Sequence, residues 1–353
     1  MEHYHTYAPE QPARPPTVVA RARLFLASHG TALWWMHSLY ALALGMCVVL
    51  FARKGFDHAR WLVLTLSFVW ILLVVFYRVA HRDLSVATKG QKVRFLVMTY
   101  ALKNMYQGML FFSLPFYWES TTFSAANRWF VVAIGVCAVL STFDIVFDHF
   151  LMKRRWLAVT FYGWTLFAVL NVAIPALFPR VRTSVTLMAA AACTVIAFAS
   201  LNMPLRTFVR WRTQALLLPV AALAATLVWL GRVAIPPVPL HLKSWAVSPL
   251  LIEGDRPAMA VTAIHRSLVP ALHGETLVSA PGGTGDELVH VWRRNADEVD
   301  RARVLPVATD DPNVVSLRSK LRKVPDDPTG EWSIDVETVD GQLVGRATFR
   351  VDG

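Results

Sequence analysis

The sequence predicts an α-helical polytopic membrane domain of about seven transmembrane helices, followed by an all-β, Ig-like sandwich domain. Of the 353 residues, 55% are hydrophobic and only 17% are charged, which is more apolar than soluble domains usually are. Long apolar runs continue to about Val233, and polar sequence with a two-residue alternation follows them. The chain therefore divides into a membrane part and a water-soluble part.

The charge follows the same division. The first 240 residues carry a net charge of +15, and the residues from His241 onward carry −4. The basic residues of the first part stand in short loops between apolar runs, which is typical of topology signals and of contact with anionic lipid. The sequence therefore predicts membrane lipid as a partner and no nucleic acid, since the soluble part carries no basic stripe.

Residues 1–30 precede the first apolar run and predict a cytoplasmic tail. Residues 1–17 are polar and Pro-rich, which disfavours packing. The segment Val18–Ala27 combines two arginines with apolar residues and favours a short helix on the membrane surface.

The membrane domain is predicted at 31–233, where seven apolar runs reach spanning length, roughly 17 residues or more. Their bounds are Thr31–Ala52, Trp61–Val79, Phe95–Trp118, Trp129–Phe147, Trp156–Phe178, Val185–Met203 and Ala215–Val233. With a cytoplasmic N-terminus, the cytoplasmic segments hold 14 Lys and Arg and the opposite loops hold 6. This bias predicts an inner (cell) membrane protein with the C-terminal domain in the periplasm.

Residues 234–256 are rich in proline and predict a stiff, extended linker. From 257 to 353 the alternation predicts six or seven short strands, and Asp340-Gly341 is a hairpin signal. Such a pattern is typical of an antiparallel sandwich, and a small β-barrel is the alternative.

One candidate site lies inside the membrane, where polar groups are costly unless they find partners. Lys103, Asn104 and Gln107 lie in the first half of the third run, and Asp144 and Asp148 lie in the fourth run. Lys103 and Asp144 are at similar depths from the cytoplasmic side, about 12 Å from the run ends, so that a pair is reasonable. The cluster is interpreted either as polar contacts between helices or as a site for an ion, a proton or a lipid headgroup.

A second candidate is a partner-binding face on the sandwich. His290, Trp292 and Trp332 are predicted to share a face, and Arg318 and Lys320 belong to a basic edge. Core packing of the tryptophans is the alternative interpretation. No second metal-ligating side chain stands at metal spacing near His290, so that no metal site and no cofactor are predicted.

The sequence contains no nucleophile elbow, no phosphate-binding Walker motif and no zinc-protease motif. The glycines at 282, 283 and 285 lie between predicted strands, so they indicate a loop and not a phosphate cradle. No catalytic residues are assigned, and an enzyme is not the expected class.

Three motifs stand out in the C-terminal part of the sequence. They are His290-Val291-Trp292, the segment PDDPTGEW at 325–332, and TVDGQLVGRATFRV at 338–351. Together they resemble a bacterial domain of unknown function that typically follows a polytopic membrane region. The resemblance implies a Gram-negative envelope protein with a β-rich domain outside the cytoplasm, and it supplies no catalytic residues.

Two main functions are consistent with these observations, and a membrane enzyme that acts on lipid or glycan is a third. The first is an integral inner-membrane scaffold or accessory subunit that presents its sandwich to another envelope protein or to a second copy in a homo-oligomer. The alternative is a transporter, channel or lipid-handling protein that uses the intramembrane polar cluster.

Overall fold

The computed structural model describes residues 35–36, 38–47, 49–50, 68, 107–143, 154–252, 256–257, 260–304 and 306–353. A helical region comes first and a β-sheet region follows, which confirms the predicted order of the two parts. The helices are α1 (Ser38–Cys47), α2 (107–119), α3 (Arg128–Thr142), α4 (Arg155–Leu177), α5 (Thr183–Asn202), α6 (Leu205–Phe208) and α7 (Trp211–Leu230).

Eleven strands are found among the described residues. They are β1 (His241–Ser248), β2 (Leu251–Ile252), β3 (Arg256–Pro257), β4 (Ala263–His265), β5 (His273–Ser279), β6 (Leu288–Arg294), β7 (Asp297–Arg303), β8 (Val307–Ala308), β9 (Val314–Lys320), β10 (Gly330–Thr338) and β11 (Leu343–Asp352). Two short 3₁₀ helices, Arg232–Ala234 and Arg266–Ala271, follow α7 and β4.

The strands form two main sheets and one small ribbon. One sheet has four strands in the order β1-β5-β9-β8, and the other has five in the order β4-β11-β10-β6-β7. All pairs in the two main sheets are antiparallel except β4 with β11. The two-stranded ribbon pairs β2 with β3.

Three helical segments within the described ranges are long and apolar enough to cross a membrane. They are Thr160–Leu177, Thr183–Ser200 and Trp211–Leu230, which correspond to the last three predicted runs. The described residues thus contain three such helices and not the predicted seven. Most of the run Trp61–Val79 lies outside the described residues, and the other early runs are described only in part.

The prediction of a linker at 234–256 is wrong at 241–248, 251–252 and 256, which lie in strands. Residues 241–248 form β1, which pairs with β5 from His241 opposite Ser279 to Ser248 opposite His273. The prolines at 236, 237 and 239 precede this strand, so they remove no hydrogen bond from the sheet. The β domain therefore comprises 241–353.

The helical core lies where α2, α3, α4 and α5 meet. Leu110, Ile134, Ala168 and Ala190 are fully buried in it. Tyr117 reaches from α2 to α4, where its hydroxyl donates to the carbonyl of Ala168 at 2.9 Å and accepts from the Asn171 side chain at 3.0 Å. The two helices are thus joined by hydrogen bonds inside an apolar core, where unpaired polar groups would be costly.

The two main sheets pack face to face over a shared apolar layer. Val247 of β1 is buried in the same cluster as Trp292, Ile334 and Phe349 of the five-stranded sheet. Gly274 of β5 lies directly under Ile334 and Trp292; a side chain there would clash with the end of Ile334 and press tightly on the Trp292 ring. The glycine therefore permits the close approach of the sheets around the tryptophan.

Strands β10 and β11 form the hairpin that Asp340-Gly341 predicts. Gly341 has φ +86°, a conformation that glycine adopts without steric cost. The turn is longer than two residues, because the amide of Thr338 donates to the carbonyl of Gln342. This turn points toward the helices, where it takes part in the contacts described next.

Candidate functional site

Of the predicted intramembrane cluster, only Gln107 is among the described residues. Lys103, Asn104, Asp144 and Asp148 lie outside them. The Gln107 side chain is buried, and its Nε2 donates to the carbonyl of Ala41 in α1 at 2.5 Å. Gln107 therefore joins α2 to α1, and a Lys103–Asp144 pair stays a prediction.

Three of the five residues of the predicted partner-binding face are buried. His290, Trp292 and Trp332 do share a face, but their exposed fractions are 0%, 0% and 1% because the face is turned toward the opposite sheet. These three side chains cannot contact a partner, and the prediction is corrected. Their alternation was visible in the sequence, whereas the direction of the face depends on which sheet covers it.

His290 is the centre of a short chain of hydrogen bonds between the sheets. Its Nε2 lies 2.8 Å from the hydroxyl of Thr276, and its Nδ1 lies 2.7 Å from that of Ser319. Trp292 also donates its indole N–H to Ser319, at 3.1 Å. Burial lowers the pKa of His290 to about 3, so that the imidazole is neutral at physiological pH.

The contact between Ser319 and His290 resembles a nucleophile and its base. The far side of the imidazole, however, meets a threonine hydroxyl and not a carboxylate that would stabilise a charged ring. The imidazole is also fully buried, so that no substrate reaches it. The arrangement satisfies polar groups inside the core and has no catalytic geometry.

The two basic residues of the predicted face lie on β9. Arg318 donates to the Glu275 carboxylate at 2.9 Å, and Glu275 also accepts from Ser316 at 2.6 Å. Lys320 is exposed at the end of the strand. Only Lys320 is therefore presented freely to solvent among the five residues of the predicted face.

An unpredicted ionic network covers the outer side of the five-stranded sheet. Asp335 on β10 is only 1% exposed and accepts from Arg346 at 2.7 Å and from Arg293 at 3.0 Å. Arg293 also donates to Glu337 at 2.8 Å, and Arg301 reaches the same carboxylate at 3.2 Å. The hydrogen bond to Asp335 raises the pKa of Arg346. The network joins β6, β7, β10 and β11 across the sheet.

The junction between the helices and the β domain is also polar and buried. Its contacts centre on the first residues of α5 and on the loops before β6 and β11. We call this set of contacts the junction; its residues are Asn127, Thr183, Ser184, Arg232, Ile235, Asp286, Asp340, Gln342 and Leu343.

Asp286 supplies the N-terminal cap of α5. The helix's own N-cap position is Arg182, whose side chain makes no capping hydrogen bond. The Asp286 carboxylate accepts instead from the amide of Thr183, at 3.0 and 3.2 Å. A carboxylate is favourable there because helix N-termini carry partial positive charge. Burial raises the pKa of Asp286, and the hydrogen bonds from Thr183 oppose that shift.

The β10–β11 turn adds a second set of contacts. Gln342 is fully buried; its Oε1 accepts from the Thr183 hydroxyl at 2.8 Å, and its Nε2 donates to the carbonyl of Ile235 at 3.2 Å. Asp340 accepts from the hydroxyl of Ser184 at 2.5 Å, and its carbonyl accepts from Arg232. The turn is therefore held by both α5 and the segment after α7.

The glycine-rich loop explains how the β domain comes so close to the helices. Gly285 packs against the backbone carbonyl of Arg180, in the turn between α4 and α5, and leaves no room for a side chain. Gly282 has φ +76° and lies against Pro179. The loop that the sequence predicts is therefore part of the junction, and its glycines allow backbone to meet backbone.

The junction was missed by sequence reasoning because its partners are far apart in the chain. Thr183 and Asp286 are separated by 103 positions. The local sequence hid the need for an outside acceptor, because Thr183 and Ser184 stand just before the predicted run at Val185 and are favourable N-cap residues. In the structure the helix begins at Thr183 itself, so that its N-cap position falls on Arg182.

An apolar groove lies beside the junction, on the flank of the helices. We call it the lateral groove; its volume is about 590 Å³, and it lies between α3 and α7 above a floor of α4 and α5. Small residues create the space, and they include Gly163, Ala191, Ala224 and Ala234. No three His, Cys, Asp or Glu side chains of the described chain are grouped so that they could hold a metal ion.

Aromatic rings form one wall of the lateral groove. Phe130 of α3 packs on Trp164 of α4 with ring centroids 4.8 Å apart, and Phe167 adjoins Phe130 at 6.2 Å. Trp129 lines the rim and is 64% exposed. The guanidinium of Arg128 lies 5.0 Å from the centre of its ring, within the range of a cation–π contact.

The fold defines a class of protein in which an apolar helical domain carries a two-sheet β domain at the ends of its helices. The chain belongs to the family of unknown function DUF5924, whose model matches residues 19–271. A second model, for proteins of unknown function of the DUF2914 type, matches residues 285–351. These two matches confirm the expectation that the chain resembles proteins of unknown function. A comparison with curated proteins finds no match.

The two family regions meet inside a single β domain. The first region includes β1 to β4, and the second includes β6 to β11. Strands of both regions share sheets, because β4 pairs with β11 and β5 lies between β1 and β9. The second region therefore depends on strands from the first to complete its sheets.

Proposed function

We propose that the chain is an integral inner-membrane scaffold or accessory subunit that holds its β domain, an Ig-like sandwich, in the periplasm for an envelope partner. The observation that carries the proposal is the junction. A β domain joined to the helices through Asp286 and Gln342 has a fixed position relative to them. A domain in a fixed position presents the same surface at a constant distance from the membrane, and this suits a scaffold.

The tryptophans of α7 support a membrane crossing. Trp211 and Trp229 lie 18 positions apart, or about 27 Å along a helix, close to the ~30 Å hydrocarbon thickness of a bilayer. Arg212 and Arg232 lie against these rings, at 5.7 and 4.1 Å from their centres. Aromatic residues with a neighbouring arginine favour the two interfaces of a membrane. Seven crossings with a cytoplasmic N-terminus remain part of the proposal and rest on the charges of the loops.

The partner is proposed to bind the end of the β domain that lies away from the helices. Strand pairing brings Leu250, Leu268 and Val324 to that end, because Ser248 is opposite His273 and His273 is opposite Lys320. These three side chains are 63%, 45% and 38% exposed. Exposed apolar side chains at one end of a domain favour contact with another protein.

Paired substitutions test this surface. Leu250→Glu and Leu268→Glu should reduce crosslinking of the full chain to its partner in intact cells, because a charge would be buried in the contact. Val307→Glu is the control, since Val307 is 46% exposed but pairs with Ser316, nearer the junction. Equal crosslinking in all three variants would contradict the proposed surface.

A reporter that is active only in the periplasm tests the topology. Fused after Gly353, it should be active if the chain crosses the membrane an odd number of times from a cytoplasmic N-terminus. An inactive reporter on a stably expressed chain would contradict the orientation.

The transporter, channel or lipid-handling alternative stays a prediction. It requires the predicted polar cluster, of which Gln107 alone is described. Loss of a transport phenotype in a folded Lys103→Met or Asp144→Asn variant would favour it over the scaffold.

A further inference from the structure

The lateral groove has the properties of a site for one hydrocarbon chain. Its lining is apolar, and it lies on the flank of α4, α5 and α7, which include the three helical segments long enough to cross a membrane. In the proposed membrane setting, the medium along this flank is lipid and not water. An apolar groove that opens to lipid is filled by acyl chains, since a void would forfeit dispersion contacts.

A basic residue beside the lateral groove indicates a ligand with a charged head. At the rim, Arg128 lies on Trp129 and donates to the carbonyl of Phe123, and it forms no ion pair with a described carboxylate. Its charge is therefore available to an anion.

We infer that the lateral groove binds one acyl chain of an anionic phospholipid. The phosphate lies at Arg128, and the chain lies along the small residues at Gly163, Ala191 and Ala224. Arginine is well suited to a phosphate because its guanidinium offers several donors. This inference rests on the membrane crossing of the proposed function but not on the scaffold role.

The test measures lipid retained by the full chain. The protein is purified in a mild detergent, incubated with equal amounts of phosphatidylglycerol and phosphatidylcholine, and washed, and the bound lipid is counted by native mass spectrometry. We expect one phosphatidylglycerol per chain. Ala224→Leu fills the groove and should lower retention about tenfold. Ala222→Leu is the matched control, because Ala222 is exposed on the same helix and does not line the groove.

A second pair of variants examines the headgroup contact. Arg128→Gln should abolish the preference for phosphatidylglycerol over phosphatidylcholine, because the exposed guanidinium is lost. Arg212→Gln, at the opposite end of α7, should keep that preference. These exposed positions are suitable even if Ala224→Leu does not fold.

Two results would overturn the site. One is equal retention by folded Ala224→Leu and Ala222→Leu, which would leave only nonspecific lipid around the helices. The other is an unchanged preference for phosphatidylglycerol in Arg128→Gln. An inactive reporter after Gly353 contradicts only the proposed orientation. The lipid-retention results contradict only the lipid site, so the two proposals can fail separately.

Discussion

The carboxylate of Asp286, in the β domain, accepts hydrogen bonds from the amide of Thr183, the first residue of α5. The bond crosses from one half of the chain to the other and satisfies a donor that the helix cannot pair internally. It is reinforced by Gln342, which binds the hydroxyl of the same threonine. One residue at a helix start therefore anchors two loops of the β domain.

Removal of the Asp286 cap should weaken the first turn of α5. Asp286→Ala is expected to destabilise it by about 1–2 kcal/mol, the usual effect of a lost cap. Asp286→Asn should cost much less, because its amide oxygen can still accept from Thr183. Hydrogen exchange of a peptide that covers the start of α5 measures the effect.

Asp310→Ala is the control for that experiment, since Asp310 is exposed on a loop outside the junction. It should leave exchange at α5 unchanged. Equal exchange in Asp286→Ala and the wild type would show that the contact does not hold the helix end.

The stability of the β domain should decrease in acid because of His290. Its pKa is lowered to about 3 by burial, whereas histidine in the unfolded chain has its ordinary pKa of 6.5. Between these values the unfolded state holds more protons, so that stability is full above 6.5 and is lost as pH falls toward 3. The slope from this one group approaches ~1.4 kcal/mol per pH unit.

Urea denaturation at several pH values, followed by near-ultraviolet circular dichroism, measures that slope. His290→Gln removes the titrating group and should flatten the curve between pH 6.5 and 4, even if it lowers stability at neutral pH. A variant with the wild-type slope would assign the acid sensitivity to other groups.

The ionic network on β10 should be sensitive to loss of Asp335. Asp335→Ala leaves Arg293 and Arg346 without their buried partner, and we expect a loss of about 3 kcal/mol. Asp327→Ala is the matched control, because Asp327 pairs with Arg294 but is 67% exposed. Its effect should stay below about 1 kcal/mol. Comparable urea midpoints for the two variants would contradict a structural role for the network.

The hydrogen bond between Tyr117 and Asn171 should be measurable as a coupling inside the helical core. Tyr117→Phe and Asn171→Ala should each destabilise the helices, and the double variant should cost less than the sum. The coupling expected for such a bond between membrane helices averages about 0.6 kcal/mol. A double-mutant cycle in detergent, followed by thermal unfolding, gives the value, and strict additivity would exclude the interaction.

Sequence alternation places Trp332, Ile334 and Val336 on one face of β10. All three are buried against the opposite sheet, with exposed fractions of 1%, 0% and 0%. The same alternation places Asp335 on the opposite face, and it is also buried. Arg293 and Arg346 cover it from neighbouring strands. Local periodicity contains no information on which strands lie alongside, so this burial could not be predicted.

The prediction of an exposed partner-binding face was wrong for a related reason. His290 and Trp292 were placed on a common face by their spacing, and the structure agrees. Exposure, however, depends on β5 and β9, which cover that face and lie elsewhere in the chain. The alternative interpretation, core packing of the tryptophans, agrees with the structure.

The boundary between the domains was missed because proline dominated the segment 234–256. Pro236, Pro237 and Pro239 suggested a linker that ran on to 256, whereas the strand begins two residues after the last of them. A regular alternation is also weak in β1, where the pairing shifts between Leu242 and Ser244. A bulge of this kind interrupts the two-residue period from which strands are recognised.

The cap on α5 also imposes an order on biogenesis. The acceptor for Thr183 is 103 residues further along the chain, so that it is synthesised well after the helix itself. Until the later loop has been synthesised, the amide at the start of α5 must therefore donate to water or to a transient partner. A chain that stops before Asp286 would contain every helix described here and still lack the acceptor that completes α5.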